Sequence, residues 1–233
     1  ADAGALAAAL QQAGVTLDLA PVVDVVPAGT ERANAPIGFW GRQLGSDPAA
    51  VEHAAGLVLD ALAAHDVQPT LKHFPGLGLV TENTDTSGPV RDAVTGADSP
   101  QVDVYRTLLD HDPTAFVMVS SATYPRIDPA NPAMYSSAVV DGLLRGTLGF
   151  DGVVITDDVG KAIAAGMGRT PGERAVDAVR AGGTLVLTDV QTDLGPMVDA
   201  LVAAAADQEF ATRLDDAARV ALVAKVRAGL LGG

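Results

Sequence analysis

Cysteine is absent from the 233 residues, so no disulfide, thiol nucleophile or thiolate metal site is available. That absence leaves the compartment open, because secreted and cytosolic proteins can both dispense with the residue. Positive charge is scarce: 15 Lys and Arg stand against 29 Asp and Glu, a formal charge of −14. This argues against nucleic-acid binding through phosphate neutralisation and against attraction to an anionic membrane. No apolar run reaches the roughly 18–20 residues of a membrane span. The richest stretch, 197–206, is cut off by Asp207, Gln208 and Glu209 and reads as a helix. A glycine-rich phosphate loop is missing too, Gly182–Gly183 being a generic pair. The opening ADAGALAAALQQAG lacks the basic n-region of a signal peptide. It reads as an amphipathic helix already inside a domain, with the native chain expected to begin further upstream.

What remains is a chain rich enough in apolar residues, 48%, to exclude disorder and to bury a substantial core. A neutral or weakly charged small ligand suits its charge. Five short apolar runs read as strands: 17–26, 67–74, 115–121, 152–158 and 183–189. Their near-continuous hydrophobicity fits strands covered on both faces, as in a parallel sheet flanked by helices. Between them lie helical patterns with start signals. Asp47–Pro48 opens 48–64, with Val51, Ala55, Val58, Leu59 and Leu62 on one face. Ser99–Pro100 opens 100–110, and Thr170-Pro171-Gly172-Glu173 has the form of a capping box with proline at the first helical position. The alternation predicts an α/β domain of βα units, with no composition break that would mark a linker.

Asp24, Lys72–His73, Ser120–Ser121, Asp157–Asp158 and Asp189 all fall at or just past the C-terminal ends of these runs. In barrels and open α/β sheets the ligand site lies at that edge, where the loops converge. Polar residues end many strands, but charge at most of them predicts a pocket lined by Asp, Lys and His.

These residues carry a family resemblance. KHFPG (72–76), followed by a long loop and then NPAMYSSAVVDGLLRGTLGFDGVVITDD (131–158), resembles the catalytic domain of glycoside hydrolase family 3, most closely its bacterial β-N-acetylglucosaminidase branch. LAPVVDV (19–25), IGFWGRQLGSDP (37–48), AVRAGGTLVL (178–187) and LDDAARVALVAKVRAGL (214–230) agree, in family order, over nearly the whole chain. The resemblance implies an α/β fold of the (β/α)8 TIM-barrel type, as a single domain over 1–233 with no second domain. Family members carry two strands before the LAPVVDV strand, and a complete barrel takes about 250 residues. A barrel lacking its first one or two βα units is therefore expected.

By the same resemblance, Asp157 stands at the nucleophile position of a retaining β-glycosidase, while Lys72, His73, Arg42 and Asp24 stand where the family binds sugar hydroxyls. A protonated amine and an imidazole suit that task. Asp158, next to Asp157 on an extended backbone, reads as structural, bonding backbone amides. The branch uses an Asp-x-His dyad as acid/base. Aligning the loop puts Asp85 at the aspartate and Ser87 at the histidine, with Ser121 replacing a further family histidine. His53, His65 and His111 fall on helical segments away from the strand ends. A serine hydroxyl is too weak an acid to replace an imidazolium. Three answers stay open: Glu82 or Asp85 donates the proton directly, with its pKa raised; the acid comes from elsewhere; or the domain binds a carbohydrate without cleaving it.

The expected activity is hydrolysis of terminal β-linked sugars of the β-N-acetylhexosaminidase or β-glucosidase type, with no metal and no other cofactor. The alternative is a catalytically impaired carbohydrate-binding protein. The expected partner is a carbohydrate, not nucleic acid or a membrane span, and an envelope or secreted location fits a cell-wall-directed glycosidase.

Overall fold

The computed structural model describes residues 2–231. Helix α1 (Ala3–Gln12) starts where the Asp2 carboxylate folds back onto the amides of Gly4 and Ala5. After an extended stretch and a long loop, α2 (Pro48–Ala63) opens on Asp47, whose carboxylate accepts from the Ala50 amide, with Pro48 in the first turn. Its buried residues Val51, Ala55, Leu59 and Leu62 follow the helical period read in the sequence. Strand β1 (Thr70–Phe74), helix α3 (Pro100–His111) and strand β2 (Phe116–Val119) come next. An irregular antiparallel pair, β3 (Thr123–Tyr124) and β4 (Asp128–Pro132), precedes a π-helix over Ala138–Thr147. Strand β5 (Val154–Thr156) leads to the one-turn α4 (Ile163–Gly166), α5 (Pro171–Arg180), α6 (Leu194–Ala204) and the long α7 (Gln208–Arg227).

The chain is an α/β domain around a small parallel sheet, in the order β1-β2-β5. Two further segments join it through parallel bridges, Leu17 to Gln68 and Val22 to Lys72 on one side, Ile155 to Leu185 on the other. Parallel segments thus follow one another in chain order, and their C-terminal ends share one edge. Among the described residues the sheet has three strands, short of the eight of a closed barrel.

The runs 17–26 and 183–189 do not form the continuous strands that hydrophobicity predicted. Pro21 has no amide to offer a ladder, so the first run is held by scattered bonds such as Val23 N to Lys72 O. In the last run backbone bonds such as Leu185 N to Val154 O are interrupted by side-chain hydroxyls: Thr156 Oγ1 accepts from the Leu187 amide and Thr184 Oγ1 from the Val154 amide. The β3–β4 pair and the π-helix have no counterpart in the sequence reading, and the prolines at 129 and 132 disguise β4 as loop.

The core lies between sheet and helices. Leu71, Val117, Val119 and Val154 are essentially inaccessible, and Phe74 meets Tyr105 of α3 edge-on, with ring centroids 4.9 Å apart. Burying each such side chain contributes about 1.5–3 kcal/mol. The capping box forms as predicted: Thr170 Oγ1 accepts from the Glu173 amide and Glu173 Oε2 from the Thr170 amide. At the N-terminal ends of the strands, Arg145 donates to the carbonyls of Gly182, Phe150 and Gly152, strapping together the loops that enter β5 and the 184–187 segment.

Candidate active site

The residues in question gather at the opposite, C-terminal edge of the sheet. Lys72 pairs with Met118 and Phe74 with Val119, so His73 is an extra residue in β1. Such a bulge breaks the strict alternation of side chains and re-aims them. His73 is buried against Asp24, and Lys72, half-buried, lies in the field of Asp157, Asp24 and Asp18. Burial, then the neighbouring Arg42, pulls the Lys72 ammonium below the usual lysine range, against those three carboxylates.

Asp24 is 1% exposed, and its oxygens are taken up within the protein. Oδ1 accepts from the amides of His73 (3.1 Å) and Leu77 (2.7 Å), while Oδ2 lies 2.8 Å from His73 Nδ1. A carboxylate can only accept, so Nδ1 carries the proton and Nε2 is left for a ligand. Asp24 thus holds both the ring and the main chain of His73 in place.

The loop after β1 is fixed by contacts that no local pattern announced. Asn34, buried, donates from Nδ2 to the carbonyls of Leu77 (2.7 Å) and Val80 (2.8 Å), and its Oδ1 accepts from the amides of Ile37 and Gly38. It thereby fastens the 34–42 loop to the 77–80 loop. Gly78 packs onto the Val25 carbonyl so closely that a Cβ there would sit 1.9 Å from the oxygen. Tyr124 Oη closes the arrangement on Gly76 O at 2.8 Å. Arg42, exposed, is held by a bond from Nη1 to Pro36 O (2.8 Å).

Asp157 follows β5 directly. Its amide donates to Val119 O at 2.9 Å, and its half-buried carboxylate accepts from the Asp158 amide at 2.9 Å. Asp158 has the structural role read for it. Burial works against its charged form, but amide bonds from Lys161, Gly160 and Asp189 more than offset this and hold it below the usual carboxylate range. Asp189 forms an exposed pair with Lys161 rather than joining the cluster.

Asp85 sits in a turn in which Asn83 Oδ1 accepts its amide at 2.9 Å. The residue is exposed overall. What enclosure it has is the first cause that pushes its carboxyl up, and the Asp157 carboxylate is the second; Arg42 and His73 pull the other way. Solvent tempers all four. Thus Asp85, Asp157, Arg42 and His73 share one field. Glu82 is exposed, Ser87 half-buried, and Ser121 buried with no partner for its Oγ. His65 bonds Gln11 and His111 bonds Asp60, both away from the sheet edge. Among the described residues no group of three or more His, Asp or Glu is placed to hold a metal ion, and no helix is long and apolar enough to cross a membrane.

These observations describe an α/β domain that brings Lys72, His73 and Asp157 to the C-terminal edge of its parallel sheet, the edge where such sheets place ligands. The chain belongs to glycosyl hydrolase family 3: the model of that family's N-terminal domain matches residues 2–223. It is 35% identical over 182 residues to a β-hexosaminidase of Xanthomonas campestris pv. campestris, covering 74% of this chain and 50% of the relative. To the β-hexosaminidase LpqI of Mycobacterium tuberculosis it is 33% identical over 199 residues, 82% of this chain and 49% of the relative. The chain thus spans about half the length of the curated relatives it matches. Among solved structures, a β-N-acetylhexosaminidase from Beutenbergia cavernae superposes with a TM-score of 0.91 at 43% identity, covering 97% of this chain and 69% of that one.

Proposed function

We propose that this chain is the catalytic domain of a retaining glycosidase that hydrolyses terminal β-linked sugars, of the β-N-acetylhexosaminidase or β-glucosidase type, with Asp157 as nucleophile and Asp85 as general acid. The parallel segments are on this reading an arc of a (β/α)8-type barrel within a single domain. The observation that supports it is the surroundings of Asp85: enclosure first, and the Asp157 carboxylate second, push its carboxyl above the ordinary aspartate value, the direction a general acid paired with an ionised nucleophile requires.

The division of labour follows. Asp157, held at the strand end by its amide bond to Val119, attacks the anomeric carbon while Asp85 gives its proton to the leaving oxygen. Water then enters with Asp85 as base, and the sugar leaves. Lys72, Arg42 and the free Nε2 of His73 hold sugar hydroxyls. A direct carboxylic acid at 85 removes the need for a histidine in this loop.

Hydrolysis of 4-nitrophenyl β-N-acetylglucosaminide and β-glucoside tests the reading. Asp157→Asn is expected to lower kcat by roughly a thousandfold or more, while sugar still raises Tm. Wild-type rates in that variant overturn the nucleophile assignment. Sugar binding without any wild-type turnover overturns the enzyme reading in favour of a carbohydrate-binding protein.

A further inference from the structure

Asp85 and Asp157 lie on different loops, yet one stretch of chain connects them. The turn after Asp157 reaches across to the Asp85 loop, where the Ile163 amide donates to Asp85 O (3.3 Å) and the Ala164 amide to Thr84 O (3.1 Å). Gly88 fits closely there, since a Cβ on it would meet Met167 Sδ at 3.1 Å and Ala164 Cα at 3.3 Å. The turn is itself braced from behind. Arg174 Nη1 donates to Val159 O (2.6 Å) and Gly160 O (3.3 Å), and its Nε to Arg169 O (3.2 Å). One guanidinium thus ties the start of the 159–169 stretch to its end. Tyr135 Oη adds a bond to Ala165 O at 3.3 Å, and Val159, Ala162, Ala164 and Ala165 are buried beneath.

We infer that the Ile163–Ala164 amide pair, braced by Arg174, sets where Asp85 stands relative to Asp157, so that Arg174 is a positioning residue for protonation of the leaving group. This rests on the reading of Asp85 as general acid. Backbone carbonyls of residues 84 and 85 are caught directly, so the aspartate is held by its main chain while its carboxyl stays free. A planar guanidinium suits the brace because its fan of donors reaches several carbonyls at once. Loosening the brace lets Asp85 drift, and a shift near 1 Å at a reacting group costs up to about a hundredfold in rate.

Ile163→Pro isolates the contact. Ile163 is the first residue of α4, where proline is tolerated, and Ala162 at φ −58°, ψ 118° has the conformation that precedes proline. Proline removes the amide hydrogen that reaches Asp85 O and puts its ring Cδ in that direction, so the bond is lost and the carbonyl is pushed away. Ile163→Ala keeps the amide and removes a side chain that is 52% exposed, so it serves as control. Arg174→Met keeps the stem without the donors, and Arg174→Lys restores a cation.

Amide hydrogen exchange over residues 81–90 is expected to quicken in Ile163→Pro and Arg174→Met but not in Ile163→Ala. Unchanged exchange in both overturns the coupling. Hydrolysis is then compared on chitobiose, whose sugar leaving group needs protonation, and on 2,4-dinitrophenyl β-N-acetylglucosaminide, whose leaving group does not. Ile163→Pro and Arg174→Met are expected to lose roughly ten- to a hundredfold in kcat on the first and to keep the glycosylation rate on the second, with partial rescue in Arg174→Lys. Equal losses on both substrates mean a merely structural role and overturn the inference. Asp85→Asn separates the two levels. If it too shows no dependence on the leaving group, or if the wild-type chain cleaves neither substrate, the reading of Asp85 fails and takes the inference with it. If it shows the dependence and the brace variants do not, the inference alone fails.

Discussion

His73 is held twice by one carboxylate: its ring Nδ1 lies 2.8 Å from Asp24 Oδ2, and its backbone amide donates to Asp24 Oδ1 at 3.1 Å. Ring and main chain are fixed together, so the imidazole has one orientation and one tautomer.

Removing Asp24 leaves two amides and a ring N–H buried without acceptors. Asp24→Ala is expected to cost about 3 kcal/mol, read from urea unfolding at neutral pH. Asp24→Asn keeps the shape but can present an NH2 to Nδ1, so it is expected to weaken sugar affinity more than stability. Isothermal titration separates the two, and unchanged affinity in both variants removes Asp24 from the orientation of His73.

The pH dependence of Asp85 has a definite sign. Its carboxyl is pushed above the ordinary aspartate value of 3.8, by enclosure and then by Asp157. As a general acid it works protonated, so activity is lost as pH rises through this raised value. Arg42 holds the value down, so Arg42→Met is expected to move the alkaline limb of kcat/KM to higher pH while raising KM. A limb that stays in place or moves down contradicts the assignment.

The same shift has a stability consequence of opposite sense. A carboxyl with a raised folded-state pKa costs stability once pH exceeds that of the unfolded chain, and the cost vanishes where both states are protonated. Asp85→Asn is therefore expected to raise Tm at neutral pH and to leave it unchanged well below the ordinary aspartate value. Thermal scans across that range decide it.

Gly78 tests the loop packing without touching a charged group. A methyl group would lie 1.9 Å from the Val25 carbonyl oxygen, so the backbone must move. Gly78→Ala is expected to cost about 3 kcal/mol or more and to displace the 77–80 loop that Asn34 fastens. Wild-type unfolding curves for this variant contradict the packing.

Arg145 marks the opposite end of the sheet. Its guanidinium reaches three carbonyls and Thr184 Oγ1, all remote from Asp157. Arg145→Met is expected to lose about 2–4 kcal/mol of stability with KM unchanged on the folded fraction, measured by denaturation and steady-state kinetics.

Local chemistry made part of this protein legible in its sequence. Proline and aspartate at helix starts, the Thr170–Glu173 box and the apolar runs act over a few residues, so α2, α3, α5 and the ends of β1 and β5 could be read directly. The same runs placed Lys72, His73 and Asp157 at one edge. Interactions at long range decided the rest. The neighbours of Asp24 in sequence cannot reveal that its carboxylate accepts from His73, 49 residues away, and from Leu77. Nothing local in the loop after β1 announces that Asp85 lies in the field of Asp157, or that the carbonyls of Asp85 and Thr84 accept from the amides of Ile163 and Ala164. A carboxylate's role depends on what surrounds it, through burial, donors and neighbouring charge, and those surroundings exist only once the loops have met.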